Sequence, residues 1–241
     1  MTITTALRTS PGTVAPEVPR YLHETYWWAY EHPNAVRIFE RQWLVNLILW
    51  GNFRRLRDAA LDELDASIGG RTLQLACVYG DFTQQIVRRL APGATLDVVD
   101  VLPIQLRNLE RKLPGTATQG TPVGLHRYDT AALGFADAQY DRALLFFLLH
   151  EQPAEVRRKT LSEALRVVKP GGRIVIVDYH QPRRFHPLRY LFRPVLRWLE
   201  PFALDLWERE LDAWLPAGVG AGQVRTETYC GGLYQKAVIT V

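Results

Sequence analysis

From Val18 to about Ser67 the apolar residues recur at helical spacing, with Val36, Phe39, Trp43, Leu44, Leu47 and Trp50 as examples. This predicts a helical N-terminal layer over 18–68, broken once at Pro33, where a ring replaces a backbone donor. After Gly69-Gly70 the texture changes to short apolar runs alternating with helical stretches. The pattern predicts a strand over 72–78, a helix over 81–91, a strand over 95–100 and a helix over 103–113. Strands near 123–128 and from Arg142 to Leu148, a helix over 154–168 and a strand over 173–178 follow. Strands that alternate with helices call for a mostly parallel sheet covered on both faces, so the expected class is α/β. Lys169-Pro170-Gly171-Gly172 reads as a turn between helix and strand. Pro182 to Trp214 reads as arginine-bearing helix with Pro187, Pro194 and Pro201, and 226–229 with 235–241 reads as a closing antiparallel hairpin around Gly231-Gly232. The expected organisation is a disordered lead-in over 1–17, the helical layer over 18–68, and one domain over 69–241 in which 182–215 is a lid or membrane-contact insertion.

Composition narrows this picture in a few places. With 47% apolar and 22% charged residues in 241, the chain suits one globular domain with an extension. Cys77 and Cys230 are far apart in sequence, the first inside an expected buried strand, which argues for core thiols in a reducing compartment. The longest apolar run, Leu44 to Trp50, contains Asn46 and falls far short of the roughly 20 residues a spanning helix needs. The net charge of +4 is carried largely by arginine, and 179–199 holds Arg183, Arg184, Arg189, Arg193 and Arg197 without one Asp or Glu. Such a stretch could meet nucleic-acid phosphates, anionic lipid or water. The arginines lack interleaved recognition-motif character, so no nucleic-acid partner is expected.

The candidate chemistry centres on LQLACVYGDFT, residues 73–83, placed where a strand runs into a helix and where a glycine-rich cofactor loop would lie. Only Gly80 of such a loop remains. LDVVDVLPIQL puts Asp100 at the end of the second strand, where a carboxylate can accept ribose hydroxyl protons, beside Val101 and ahead of Pro103 at a helix start. HRYDTAALGF supplies Asp129 and Thr130, Gln139-Tyr140-Asp141 follows, FFLLHEQP ends a strand at His150, and VVKPGGRIVIVDY ends one at Asp178.

In this order and at these intervals the motifs resemble class I S-adenosylmethionine-dependent methyltransferases, from about residue 70 to the C-terminus. The resemblance implies a Rossmann-like, seven-stranded sheet with an antiparallel C-terminal hairpin. It also implies a cofactor pocket built from Tyr79, Gly80, Asp81, Asp100, Val101, Asp129 and Thr130. More narrowly, YLHETYWWAY, RQWLVNLILWGNFRRLRDAAL and ACVYGDFT resemble the rhodoquinone-biosynthesis methyltransferase-like proteins. That likeness implies conversion of ubiquinone to rhodoquinone, a ring methoxy being exchanged for an amino group with S-adenosylmethionine as amino donor and manganese(II), Mn2+, as helper. The alternative is a conventional methyltransferase acting on a quinone or other lipophilic aromatic.

Against the superfamily loop, Gln74 stands for the acid that holds the cofactor's ammonium, Ala76 and Val78 stand for glycines, and Tyr79 precedes the retained Gly80. A neutral amide and a phenol at the methionine end would leave the amine unclamped, and only a neutral amine has a lone pair to attack a quinone carbon. The expected catalytic residues are therefore Gln74, Tyr79 and His150. Asp81 is as well placed to cap a helix as to touch cofactor. Asp178 and His180, with His150 beside them, are candidate metal ligands, since oxygen with imidazole suits manganese.

A long-tailed quinone lies in the bilayer. Two stretches could bring the enzyme to it: Tyr26-Trp27-Trp28-Ala29-Tyr30 with Trp43 and Trp50, and the apolar residues Leu188, Leu191, Phe192, Val195, Leu196 and Leu199 flanked by Arg189, Arg193 and Arg197. The expected location is peripheral, on the cytoplasmic face of a bacterial inner membrane, or soluble in the cytoplasm with access to the membrane.

Overall fold

The computed structural model describes residues 16–30, 33–113 and 122–241; of the lead-in expected over 1–17, residues 1–15 lie outside them. Four helices open the described chain: α1 (Arg20–Tyr30), α2 (Pro33–Phe39), α3 (Gln42–Ile48) and α4 (Phe53–Asp62). Pro33 begins α2, where its missing N–H costs nothing. Next come β1 (Arg71–Leu75), α5 (Phe82–Arg89), β2 (Thr95–Val99), α6 (Pro103–Lys112), β3 (Val123–His126), β4 (Tyr140–Phe146), α7 (Ala154–Val167) and β5 (Val168–Tyr179). The chain closes with α8 (Leu188–Leu199), α9 (Ala203–Glu208), β6 (Val224–Tyr229) and β7 (Tyr234–Thr240).

The seven strands form one sheet in the order β3-β2-β1-β4-β5-β7-β6, parallel except for β7, which runs antiparallel to β5 and β6. This is the expected class I methyltransferase sheet with its C-terminal hairpin. Alternation along the buried strands assigns side chains to two layers. Leu144, Phe146, Val175 and Val177 face a core shared with α4 and α5, while Ala143, Leu145, Ile174 and Ile176 face one shared with α7. Phe53, Leu56, Ala60 and Leu61 of α4 are fully buried in the first core, so this part of the N-terminal helical layer is a structural face of the sheet.

One expected boundary shifts. The Lys169–Gly172 segment is extended backbone within β5, which pairs with β4 from Val168↔Tyr140 onward across an irregularity between Tyr140 and Arg142. Gly171 takes φ +78 there, so the glycine admits a kink inside the strand. Between 182 and 214 the prolines divide the expected helix: Pro187 precedes α8, Pro194 lies inside it, and Pro201 falls between α8 and α9.

Truncating Leu56→Ala is expected to cost about 2–5 kcal/mol of unfolding free energy, as for a core leucine. Urea denaturation checks it, and a loss under about 1 kcal/mol would show α4 to be a loosely held appendage.

Candidate active site

The carboxyl ends of β1, β2 and β4 open into a cavity of about 200 Å³. Its walls include Tyr79, Asp100, Val101, Asp129, Thr130 and His150 from the sheet side, and Tyr21, Phe39, Val45 and Ile48 from the N-terminal helices. Six of the residues singled out from sequence therefore converge on one space. Gln74, Gly80, Asp81, Asp178 and His180 are not among its walls.

The loop after β1 keeps the backbone of a glycine-rich turn despite its altered residues. Ala76 holds φ +69, a left-handed conformation an L side chain adopts at a cost of order 1–3 kcal/mol. At Gly80 (φ +81) an added Cβ would sit 3.0 Å from Cζ of Phe53, so α4 presses directly on the loop. Gln74 is fully buried and spent inside the protein: its amide nitrogen donates to the Ala76 carbonyl at 2.9 Å, and its oxygen accepts from Thr83 Oγ1 at 3.0 Å. It braces the turn and does not reach the cavity, so a role in contact with cofactor does not follow from its position. Asp81 is gripped by both oxygens on Arg57 Nη1 at 2.8 and 2.7 Å and makes no side-chain cap on α5. Burial works against its charge, yet hydrogen bonds from Gln85 and Arg57 hold its carboxyl below the usual range.

Tyr79 does line the cavity. Its hydroxyl accepts from Gln105 Nε2 at 2.8 Å and its ring stacks on Phe39 at 5.9 Å. Burial raises its pKa above the usual phenol value despite the Gln105 bond, so it stays a neutral phenol and makes a poor proton acceptor. Lys112, unnoticed in the sequence, reaches from α6 to the carbonyls of Val78 at 3.2 Å and Gly80 at 3.0 Å and pairs with Glu40 at 2.6 Å. An ammonium, itself paired with a carboxylate, thus sits on the loop carbonyls.

Asp100 accepts the amide N–H groups of Cys77 and Leu102, each at 2.9 Å, leaving further lone pairs for a diol. Burial pushes its carboxyl up to about 6 against those two bonds. Asp129 caps its own turn through Ala131 N at 2.9 Å, and the Thr130 hydroxyl is shared with Thr160 and Gln152. Gln152 then presents a buried Oε1 without a partner among the described residues, an acceptor suited to an exocyclic amino group.

His150 is the most firmly held of the candidate residues. It lies on a short turn, Leu149–Glu151, after β4. Its Nδ1 is 2.8 Å from Asp178 Oδ1, while the backbone N–H groups of Leu149 and Tyr179 donate to the same carboxylate at 2.8 and 2.7 Å. Nε2 lies 3.8 Å from Glu151 Oε1 and 4.0 Å from Glu200 Oε2. Burial disfavours the imidazolium, but Asp178, Glu200 and Glu151 outweigh it and push the pKa up to about 9. Burial in turn raises the Glu200 carboxyl, against His150 and Tyr26. Arg157, fully buried, fixes the turn by donating to the carbonyls of Leu149, Gln152 and Phe202. Sequence reading missed Glu151, Gln152, Arg157 and Glu200; the one available signal was Glu200 as the first acid after an acid-free stretch beginning at 179.

The expected metal pair is corrected here. Asp178 spends its oxygens on His150 and three backbone amides, and His180 Nδ1 is bonded to the Gly232 carbonyl at 2.8 Å with Nε2 3.5 Å from exposed Glu210. Among the described residues no group of three or more His, Cys, Asp or Glu is arranged to hold a metal ion. The donor set does not fit manganese at the place named from sequence. Tyr26 is likewise corrected: it is buried, with its ring near Phe202, and not an exposed member of an aromatic belt.

Residues 72–172 match a family described as "Methyltransferase domain". The chain is 27% identical over 218 residues to an uncharacterized methyltransferase of Synechocystis sp. (strain ATCC 27184 / PCC 6803 / Kazusa), covering 86% of this chain and 92% of that one. It is 31% identical to a ubiquinone/menaquinone biosynthesis C-methyltransferase of Geobacter sulfurreducens (strain ATCC 51573 / DSM 12127 / PCA), over 58% of this chain and 54% of that one. The chain thus spans about half the length of that relative. An S-adenosylmethionine-dependent methyltransferase from Aquifex aeolicus has the same fold at a TM-score of 0.52 and 15% identity, covering 87% of this chain and 99% of that one. The chain thus has the fold of the class I S-adenosylmethionine-dependent methyltransferases, and its residues 72–172 are similar to a methyltransferase domain. None of these relatives is named for amino transfer, so the comparisons back the methyl-transfer alternative above the amino-transfer expectation.

The His150–Asp178 pair sets a sign for stability against pH. With a folded pKa near 9 and an unfolded one of about 6.5, its contribution is complete below the unfolded value and is lost as pH rises toward 9. Urea denaturation is expected to show wild type losing up to about 3 kcal/mol more than His150→Gln between neutral pH and above 9. Parallel pH profiles for the two proteins would contradict it.

Proposed function

We propose that this chain catalyses an S-adenosylmethionine-dependent transfer onto the ring of a lipophilic quinone or quinol, with the methyl group as the group transferred. The observation that carries it is the buried His150–Asp178 pair facing an aromatic-lined cavity beside an adenosine-type acceptor set. The quinone C-methyltransferase among the relatives supports both the substrate class and the transferred group.

The residues present fit the cofactor. Asp100 would hold the ribose diol, and Gln152 Oε1 with Asp129 would receive the adenine amino group. When bound, S-adenosylmethionine supplies an electrophilic sulfonium methyl. In methyl transfer to the reduced, hydroquinone form, His150 takes the ring hydroxyl proton at Nε2, the ring carbon that gains the methyl gives up its own hydrogen as a proton, and Asp178 fixes the tautomer and stabilises the resulting imidazolium. Phe39, Phe146, Phe147 and Tyr179 exclude water from the same space. Arg157 holds the turn in place, so the base does not drift.

A second reading, amino transfer yielding rhodoquinone from ubiquinone, is favoured by one observation. The methionine end of the loop offers no carboxylate from Gln74's position, and Lys112 places a cation on the Val78 and Gly80 carbonyls. That environment disfavours a cofactor ammonium and favours the free amine. His150 would then act as an acid toward the leaving methoxide, the ring–nitrogen bond replacing the ring–oxygen bond, and the nitrogen's bond to the donor's α-carbon would break with loss of a proton from the adjoining carbon. No step through manganese is assigned.

Cofactor carrying carbon-13 in its methyl group and nitrogen-15 in its amine separates the readings. Product mass is expected to carry carbon-13; nitrogen-15 with loss of methoxy would install the second reading instead, and neither label in any quinone would sink both. His150→Gln is expected to lower kcat by about 10²–10⁴-fold. For methyl transfer, kcat/KM should climb about tenfold per pH unit toward a plateau near 9, where the basic imidazole predominates. Binding of S-adenosylhomocysteine should weaken as pH falls through about 6, because protonated Asp100 is a poorer acceptor for the diol. Calorimetric titration across that range tests it, and pH-independent affinity would count against Asp100 as the ribose ligand.

A further inference from the structure

We propose that α3 and α8 together form a face that docks on an anionic bilayer and surrounds the cavity mouth, so that the lipophilic substrate enters from the membrane. The substrate part rests on the quinone reading above; the surface itself does not.

Two helices far apart in sequence present matching apolar stripes to solvent. On α3 and the residue pair after it, Trp43, Leu47 and Trp50 are 61%, 64% and 48% exposed, at spacings of four and three residues. On α8, Leu191, Val195 and Trp198 repeat that spacing, with Trp198 84% exposed. Trp50 meets Phe192, on the buried side of α8, at 5.6 Å between ring centroids, which sets the two helices side by side. Contiguous exposed apolar surface of this kind marks a partner.

The chemistry around it selects the partner. The inward side of α8, Phe192 and Leu196, is already buried, so the exposed stripe is apolar surface beyond what the fold covers. Arg189, Arg193 and Arg197 recur every fourth residue along the other edge of the helix, across its outward side from the apolar stripe, and 179–199 contains no acid. Arg193 has a contact to Glu208 at 3.4 Å from the following helix. Tryptophan and tyrosine with flanking arginine suit the headgroup level of a leaflet bearing phosphate, where rings sit half in hydrocarbon and guanidinium groups meet anions. A water-soluble protein partner would not need a cationic stripe parallel to an aromatic one.

The cavity supplies the link to function. Val45, Ile48 and Leu49, on and just after α3, line it, and Ile48 is 42% exposed. The segment that carries the exposed stripe thus also gives the cavity three apolar wall residues, which puts the proposed docking face next to the space a lipophilic ring would enter. Among the described residues no helix is long and apolar enough to cross a membrane, so contact is at the surface.

The test is co-sedimentation of the full chain with vesicles of phosphatidylglycerol mixed with phosphatidylcholine, compared with phosphatidylcholine alone. Wild type is expected to bind the mixed vesicles, with weaker binding to the neutral ones and in raised salt. The variant Trp43→Asp/Leu191→Asp/Trp198→Asp, which touches no cavity residue, should bind about tenfold less while keeping its circular dichroism and its S-adenosylhomocysteine affinity. Arg189→Gln/Arg193→Gln/Arg197→Gln should lose mainly the preference for anionic lipid. Failure of wild type to bind, equal binding by the apolar variant, or a dimer in sedimentation velocity that the apolar variant abolishes would overturn the proposal. Turnover separates this from the functional reading: the apolar variant should keep activity on a short-tailed soluble quinone and lose it on a long-tailed one in vesicles. If wild type binds vesicles but turns over no quinone, the docking face stands and the quinone reading falls.

Discussion

A carboxylate buried at the end of a parallel strand must be satisfied, and the way Asp178 is satisfied organises this protein. Its oxygens collect the backbone N–H groups of Leu149, His150 and Tyr179 and the imidazole of His150. Those bonds force the chain leaving β4 to turn back over β5, with Phe147 in a left-handed conformation (φ +53) as the cost. They also fix one nitrogen of His150, which aims the other at the cavity. Removing the carboxylate would leave amides and an imidazole unpaired in a buried place, so the turn and the chemistry stand on the same bonds.

The N-terminal helices matter for the same reason. Phe53 presses on Gly80, Arg57 holds Asp81, and Glu40 holds Lys112 against the loop carbonyls. A turn that has lost its glycines would otherwise relax from the strained backbone seen at Ala76. Here the helical layer over-determines it, and the retained shape keeps the cavity open beside Asp100 while Lys112 and Glu40 set the charge on the loop. The shape of the loop and its charge pattern therefore have one structural origin.

Alternating strands and helices made the α/β sheet legible in the sequence, because period two on buried strands and longer helical periods between them leave few topologies. The strand-end residues Asp100, Asp129 and His150 could be named in advance for a similar reason: in such sheets the carboxyl edge is where ligands bind. Less legible was the direction of side chains. Gln74 stood at the acid's position in the sequence, yet its amide folds back onto Ala76 and Thr83, since a buried amide finds the nearest partners available.

What the sequence determined alone was the order of elements, the fold class and the residues at the strand ends, all consequences of local periodicity and chain order. Only tertiary packing decided that Asp178 serves His150 and not a metal, that Arg157 and Glu200 belong to the site, and that Tyr26 is buried while Trp43 and Trp198 are not. Each of these depends on which atoms from distant segments share a small volume of low dielectric. There, pairing a charge outweighs any local preference, and spacing along the chain carries no record of it.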